Sequence, residues 1–304
     1  MGVMLRRPNG VGNYLYQMML SLQHRGVDSA GVAVYSDHRL GPKEYVLMVS
    51  VLDIPGALGE VGNAIGAAGG DIRDIHVGSS KHGAYGLNRY RVRVSEKSSI
   101  EAVVNKINAI EISTVYSFGK HVQVIKDIGL ASDLEESFGI SRLCGTHGIA
   151  HVRFSTESRV DPHHAHPFHT DAFPDIAVVH NGQITNYHNI RRRLERKGYK
   201  LKTENDTECI VFYIVDRLRS GESLRDALAA SVDELDGPFS YILSTPKEIG
   251  IARDKLGLRP LMFASDRNGF YMASEECALL CVSSRSKPQV LKPGEVRVFE
   301  RPGA

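Results

Sequence analysis

Two rhythms of hydrophobic and polar positions run along this chain. Within residues 44–126 a strand-like run, YVLMVSVLD, leads into IPGALGEVGNAIGAAGG, where Leu58, Val61 and Ile65 fall at helical spacing among small residues. DIRDIHVGSS and YGLNRYRVRVS then alternate with period two, which predicts two strands joined by a Gly-rich turn. SSIEAVVNKINAI predicts a helix with Ser98 or Ser99 as its cap and Glu101 close behind, and STVYSF or HVQVIKD supplies a last strand. Outside this stretch the rhythm changes. GPFSYILST, EIGIARD, LMFAS and GFYMASE alternate as strands, and CIVFYIVDRL reads as a helix.

The order strand–helix–strand–strand–helix–strand predicts a ferredoxin-like (βαββαβ) domain over residues 44–126. Residues 1–43 are too few to form a core of their own. After residue 126 the outer pattern resumes as if uninterrupted. The reading is therefore one discontinuous domain, residues 1–43 and 127–304, carrying an inserted domain at the exposed turn HRLGPKE. Antiparallel strands with segregated helices place the whole in the α+β class.

Composition narrows the functions. The 304 residues carry 37 basic and 35 acidic side chains, a net charge of +2, which gives no electrostatic case for nucleic acid or an anionic membrane. No apolar run reaches membrane-spanning length, and no secretory signal opens the chain. Cys144, Cys209, Cys277 and Cys281 are scattered and read as reduced core thiols of a cytoplasmic protein, with no metal site among them. Four histidines in HHAHPFH, residues 163–169, lack the Asp or Cys partners of a defined metal site. RRRLERKGYK, residues 191–200, reads as a solvated helix face.

Three stretches carry candidate chemistry. GIAHVRFST, residues 148–156, is apolar enough to be a buried strand, yet it holds Arg153, which must be paired or aimed at an anion. In IAVVHNGQITNY, residues 176–187, a buried strand runs into His180-Asn181-Gly182, where Asn offers an amide donor and Gly an unusual backbone angle. TENDTE, residues 203–208, leads an acidic cluster into a helix, with Asp206 at its start. Taken singly, an ion pair, a hairpin turn and a helix cap would explain them.

Together and in order, LQHRGVDSAG, GIAHVRFST, HPF at 166–168, VVHNGQITNY, ENDTE and ARDKLGLRPL resemble the class II, N-terminal-nucleophile glutamine amidotransferases. The resemblance covers the chain outside the insert and implies a four-layer αββα sandwich. It implies that Arg153 holds the glutamine α-carboxylate, with Thr156 adding a hydroxyl, and that Asp206 takes the α-ammonium. It gives the oxyanion hole to the Asn181 side chain and the Gly182 N–H, and support of the nucleophile to Arg25. The Asp53-Ile54-Pro55-Gly56-Ala57-Leu58 stretch, with Gly70-Asp71-Ile72, resembles the ACT domain family. That resemblance implies a small amino-acid site around Asp53, Gly56, Ala57 and Leu58, and assembly into an oligomer.

In this family a first-residue cysteine attacks the glutamine amide, with its own α-amine as base. Here Met1 stands in that place, and a thioether cannot be deprotonated. Either a cysteine precedes Gly2 in the working protein, or the chain is a nucleophile-deficient binding module. The chain reads as ending at LKPGEVRVFERPGA, where the family's amidotransferase domain also ends. A partner to receive ammonia is then implied. The motif set is similar to the stand-alone amidotransferase subunits of split glutamate synthases. It implies partner subunits that carry FMN and iron–sulfur clusters, and no cofactor on this chain. RDKLGLRPL is also similar to the phosphoribosylpyrophosphate amidotransferases, the alternative branch. The function expected is glutamine hydrolysis with ammonia delivery; the competing class is an amino-acid sensor.

Overall fold

The computed structural model describes residues 1–304 apart from 38–39, 82–83, 156–158 and 302–304. Three sheets organise the described residues. The first is seven-stranded. It comprises β1 (Gly2–Asn9), β2 (Ser29–Tyr35), β7 (Val122–Ile128), β8 (Gly145–Arg153), β12 (Met262–Ser265), β13 (Gly269–Ala273) and β14 (Gln289–Val290), in the order β14-β12-β13-β1-β8-β2-β7. The second has the order β15-β11-β10-β9, from β9 (Ala177–Gly182), β10 (Phe239–Ser244), β11 (Glu248–Arg253) and β15 (Val296–Glu300). Every pairing in both is antiparallel.

Alternation along the strands builds four layers. On β1, Val3 and Leu5 face helices α1 (Val11–Ser21), α4 (Ala131–Phe138) and α8 (Glu276–Leu280), meeting Leu15, Leu134 and Leu279. Met4, between them, faces the other way. It joins Ala33, Ile149, Val179, Ile242 and Ile251 in the core between the two sheets. On β9, Val178 turns outward to α5 (Tyr187–Arg196), α6 (Asp206–Arg219) and α7 (Leu224–Glu234), packing with Ile210, Ile214 and Leu228. The layers run helices, sheet, sheet, helices.

The inserted domain contributes the third sheet, β4-β5-β3-β6, from β3 (Glu44–Leu52), β4 (Gly70–His76), β5 (Tyr85–Val94) and β6 (Ser113–Gly119), covered by α2 (Ala57–Ala67) and α3 (Ile100–Asn108). Its core is separate, built on Leu47, Val61, Tyr90, Val103 and Phe118. Met48, Leu87 and Tyr116 leave that core and pack instead against the outer domain. Ser99 caps α3, accepting from Ala102 N at 3.2 Å.

The structure departs from the sequence reading at four points. First, the strand at 122–128 pairs with β2 along its whole length, from Ser29↔Ile128 to Tyr35↔Val122. Residues 122–126, assigned above to the insert, therefore belong to the outer sheet, and STVYSF alone closes the insert. An alternating strand after a tight bend reads the same whichever sheet receives it. Here the Asp175 carboxylate fixes the bend by accepting from Lys120, His121 and Val122 N–H at 2.8–2.9 Å. Second, Leu58 is exposed while Ala57, Val61 and Ile65 are buried, because only these three repeat every four residues towards the sheet. Third, Asn181 and Gly182 are not a hairpin turn; they end β9 as cross-strand partners of Ser240 and Phe239. Fourth, only Cys209 is a core thiol, with its pKa pushed up to about 12 by burial. Cys144, Cys277 and Cys281 are exposed. No helix among the described residues is long and apolar enough to cross a membrane.

Candidate functional site

An open cleft of about 1090 Å³ lies where the C-terminal ends of β8 and β9 meet the start of α6. Its lining includes Met1, Arg25, Arg153, Asn181, Gly182 and Asp206. Each arrives there for a local reason.

Arg153 is the last residue of β8 and is buried. Its guanidinium donates to Arg159 O at 3.2 Å and Ser155 Oγ at 3.1 Å. Burial lowers its pKa, and the charges of Asp28, Asp161 and Asp206 oppose that shift. Gly26 lets the chain cross directly over it, because a Cβ there would sit 2.2 Å from Arg153 C.

Gly182 has φ +135°, and a Cβ on it would lie 2.0 Å from Pro238 O. Only glycine can end β9 in this conformation. Asn181 precedes it in register with Ser240. Asp206 is the first residue of α6, one past the Asn205 cap. Its Oδ2 accepts from Ile184 N at 2.8 Å, which ties the helix start to the segment just beyond Gly182. Burial pushes the Asp206 pKa up. Contact with His180, the Ile184 N–H and the Thr207 hydroxyl outweigh that and hold the carboxyl below its ordinary value. A carboxylate held ionised at a helix start suits a cationic ligand group.

Met1 is buried at the chain start, in the position where β1 crosses β8. Its amine donates to Ala150 O at 2.9 Å. Burial, and then the Arg25 charge, push that amine down to about 5, so it is neutral at pH 7. Arg25 is itself anchored to Glu275 at 2.6 Å. The candidate hydroxyl residue, Thr156, lies outside the described residues.

The structure adds residues that the sequence reading did not assign. His151, His166 and His180 line the same cleft. His151 and His166 stack at 4.4 Å, and His166 Nδ1 accepts from His180 N at 3.3 Å. His151 Nδ1 and His180 Nε2 are buried without a hydrogen-bond partner among the described residues. The available signals were a histidine in each of two largely apolar strands, GIAHVRF and IAVVHN, and the HPF motif at 166–168. Nothing marked Glu275, which is 250 positions from the arginine it holds. Among the described residues no group of three or more His, Cys, Asp or Glu could hold a metal ion.

Residues 151–281 match the glutamine amidotransferase domain family, and residues 45–112 match the ACT domain family. A protein of Methanothermobacter thermautotrophicus, provisionally named a glutamine amidotransferase, is 43% identical over 295 residues, 96% of this chain and 95% of that protein. This chain belongs to the class II glutamine amidotransferases. The glutamine amidotransferase-like protein GlxB of Rhizobium meliloti is 29% identical over 289 residues, 95% of this chain and 92% of that one. The chloroplastic amidophosphoribosyltransferase of Glycine max is 36% identical over 186 residues, 60% of this chain and 32% of its own length. The solved structure of the glutamine phosphoribosylpyrophosphate amidotransferase of B. subtilis has a TM-score of 0.62 at 20% identity. The match covers 99% of this chain and 47% of that one, and it is a likeness of fold. The αββα sandwich is the N-terminal-nucleophile amidotransferase fold, with an ACT domain inserted.

The ACT-type residues lie elsewhere on the amidotransferase. Asp53, Gly56 and Leu58 are exposed at the turn from β3 into α2, and Ala57 is buried beneath them. Gly56 has φ +90°, with open space where a Cβ would stand.

Proposed function

We propose that this amidotransferase hydrolyses L-glutamine to L-glutamate in the cleft and passes the ammonia to a glutamate-synthase-like partner subunit. One observation carries the reading. A buried guanidinium, a carboxylate held ionised, a glycine-backed asparagine and a neutral chain-terminal amine converge on one cleft.

In this reading Arg153 grips the α-carboxylate through its planar fork, and Asp206 takes the α-ammonium. A cysteine thiol at the position of Met1 gives its proton to the neutral amine and attacks the side-chain amide carbon. The oxygen that becomes negative is met by the Asn181 amide and the Gly182 N–H. Each such donor contributes about 3–4 kcal/mol of transition-state stabilisation. The amine then protonates the leaving nitrogen, ammonia departs and a thioester remains. Water attacks the thioester and releases glutamate. Met1 itself has no proton to give, so the chemistry needs cysteine as the first residue. FMN and iron–sulfur chemistry belongs to the partner subunits, and the assembly is an oligomer of the cytoplasm. A phosphoribosylpyrophosphate-amidotransferase-like acceptor shares every step here and differs only in what takes the ammonia.

A second reading is favoured by Met1 alone: a subunit that binds an amino acid in the cleft and regulates without hydrolysis. Both readings require the same binding site. Calorimetric titration of L-glutamine into the protein bearing Met1 tests it. Asp206→Asn keeps an acceptor for Ile184 N–H and removes only the charge; Arg153→Met removes the fork. Each should weaken binding by about 10- to 100-fold, the loss of one charge-assisted contact. Unchanged affinity in both variants would remove the site assignment.

A further inference from the structure

Lys126 sits in β7, opposite Gly31 of β2, and it is buried. Burying an ammonium is costly, and a methionine or leucine would fill the same space without that cost. The ammonium therefore has to be doing something with its hydrogens. It donates to two backbone carbonyls of one loop, Ala165 O at 2.8 Å and His163 O at 3.3 Å. The loop passes so close over this strand pair that a Cβ on Gly31 would be 2.1 Å from His166 O. Burial also pushes the Lys126 pKa down to about 7, with Glu208 and Asp161 opposing and Arg153 adding to the shift.

The loop has two ends in two places. On one side its His163 ring meets Tyr85 and Tyr116 of the inserted domain edge-on, at 6.2 and 5.7 Å. Lys126 Nζ lies over the same Tyr116 ring at 4.9 Å, and over Phe168 at 5.0 Å. On the other side His164 and His166 line the glutamine cleft. His166 stacks on His151 and accepts from the backbone of His180, the residue 3.6 Å from Asp206. Beyond the cleft, Phe168 pairs with Val178 of β9 through two backbone hydrogen bonds of 2.9 and 2.8 Å. The loop is thus pinned at Phe168 and at Lys126, and the second pin rests on the insert.

We infer that Lys126 is a positioning residue through which the inserted domain sets the shape of the glutamine cleft. It clamps the backbone of residues 163–165 from below while Tyr116 supports both the clamp and His163 from the insert. The inference rests on the cleft being the glutamine site. It assigns the insert a mechanical part in that site, through side chains the amidotransferase chemistry does not use.

The test is calorimetric titration of L-glutamate into the full chain and into Lys126→Met, Tyr116→Leu and the double variant, with a thermal melt of each. Each single substitution should raise Kd about tenfold, and the double should stay near tenfold because the two act through one clamp. A merely structural role would lower the melting temperature and leave Kd unchanged; that result overturns the inference, as does a double variant near hundredfold. Should Lys126→Met fail to fold, Tyr116→Leu, a substitution on a strand of the insert, decides alone: a raised Kd supports the clamp and an unchanged one overturns it. Failure of the unsubstituted chain to bind glutamate or glutamine would instead overturn the glutamine-site reading together with the inference.

Discussion

Gly182 shows how far one residue can be fixed by its surroundings. With φ +135° and Pro238 O in the space of a Cβ, Gly182→Ala must move the backbone of β10 or abandon the strand end. The expected cost is about 2–3 kcal/mol in a thermal or urea melt, with loss of turnover in a cysteine-bearing protein. Gly198 is the control: it has φ +90° and open space around it, so Gly198→Ala should cost only about 1 kcal/mol. Arg153 and Gly182 were legible because each is chemically out of place in its own run, and Asp206 because an acidic cluster there leads into a helix. An arginine inside GIAHVRF, or a His-Asn-Gly after four apolar residues, asks for an explanation locally. Glu275 and Lys126 asked for none, since their meaning depends on partners brought together only by the fold.

At the level of elements, α6 presents by its first turn the Asp206 carboxylate that we propose binds the α-ammonium. The Asn205 side chain accepts from Thr207 N at 2.9 Å, and Thr207 in turn meets His180 Nδ1 at 3.0 Å. Asn205→Ala should destabilise the protein by about 1 kcal/mol, whereas Asn205→Asp should be nearly neutral, as read from melting temperatures. If Asn205→Ala melts like the unsubstituted protein, the cap does not hold the helix start. Element types were readable because period two and period 3.6 differ plainly in these runs. Pairing was not. β7 alternates as well for the insert as for the outer sheet, and only the Asp175-bound bend decides. The helical face of α2 was likewise misjudged by one residue at Leu58, where one step turns a side chain about 100°.

The whole molecule carries a titration signature. Burial lowers the pKa of His163, and drives those of His151, His166 and His169 well below the ordinary value. His147 is pushed down to about 4 by burial, and the Met1 amine to about 5. In the unfolded chain these histidines take up protons near pH 6.5, while the folded chain resists them. The unfolded state then binds more protons, so stability falls as pH drops from 6.5 towards 4. The melting temperature should decline steadily over that window; a flat profile would mean that these rings are solvated. The two-domain plan was legible because the outer motifs resume across the insert. The contact between the domains was not, since Tyr85, Tyr116 and His163 carry no pattern in common. In the proposed reading, this cleft assembles everything needed for glutamine hydrolysis except the thiol. The measurement that tests it most directly is glutamate release from L-glutamine by the protein with cysteine as its first residue in place of Met1. Equal amounts of glutamate and ammonia are expected from that protein, and none from the Met1 form. A cysteine-bearing protein, folded and with a free N-terminus, that released neither would contradict it.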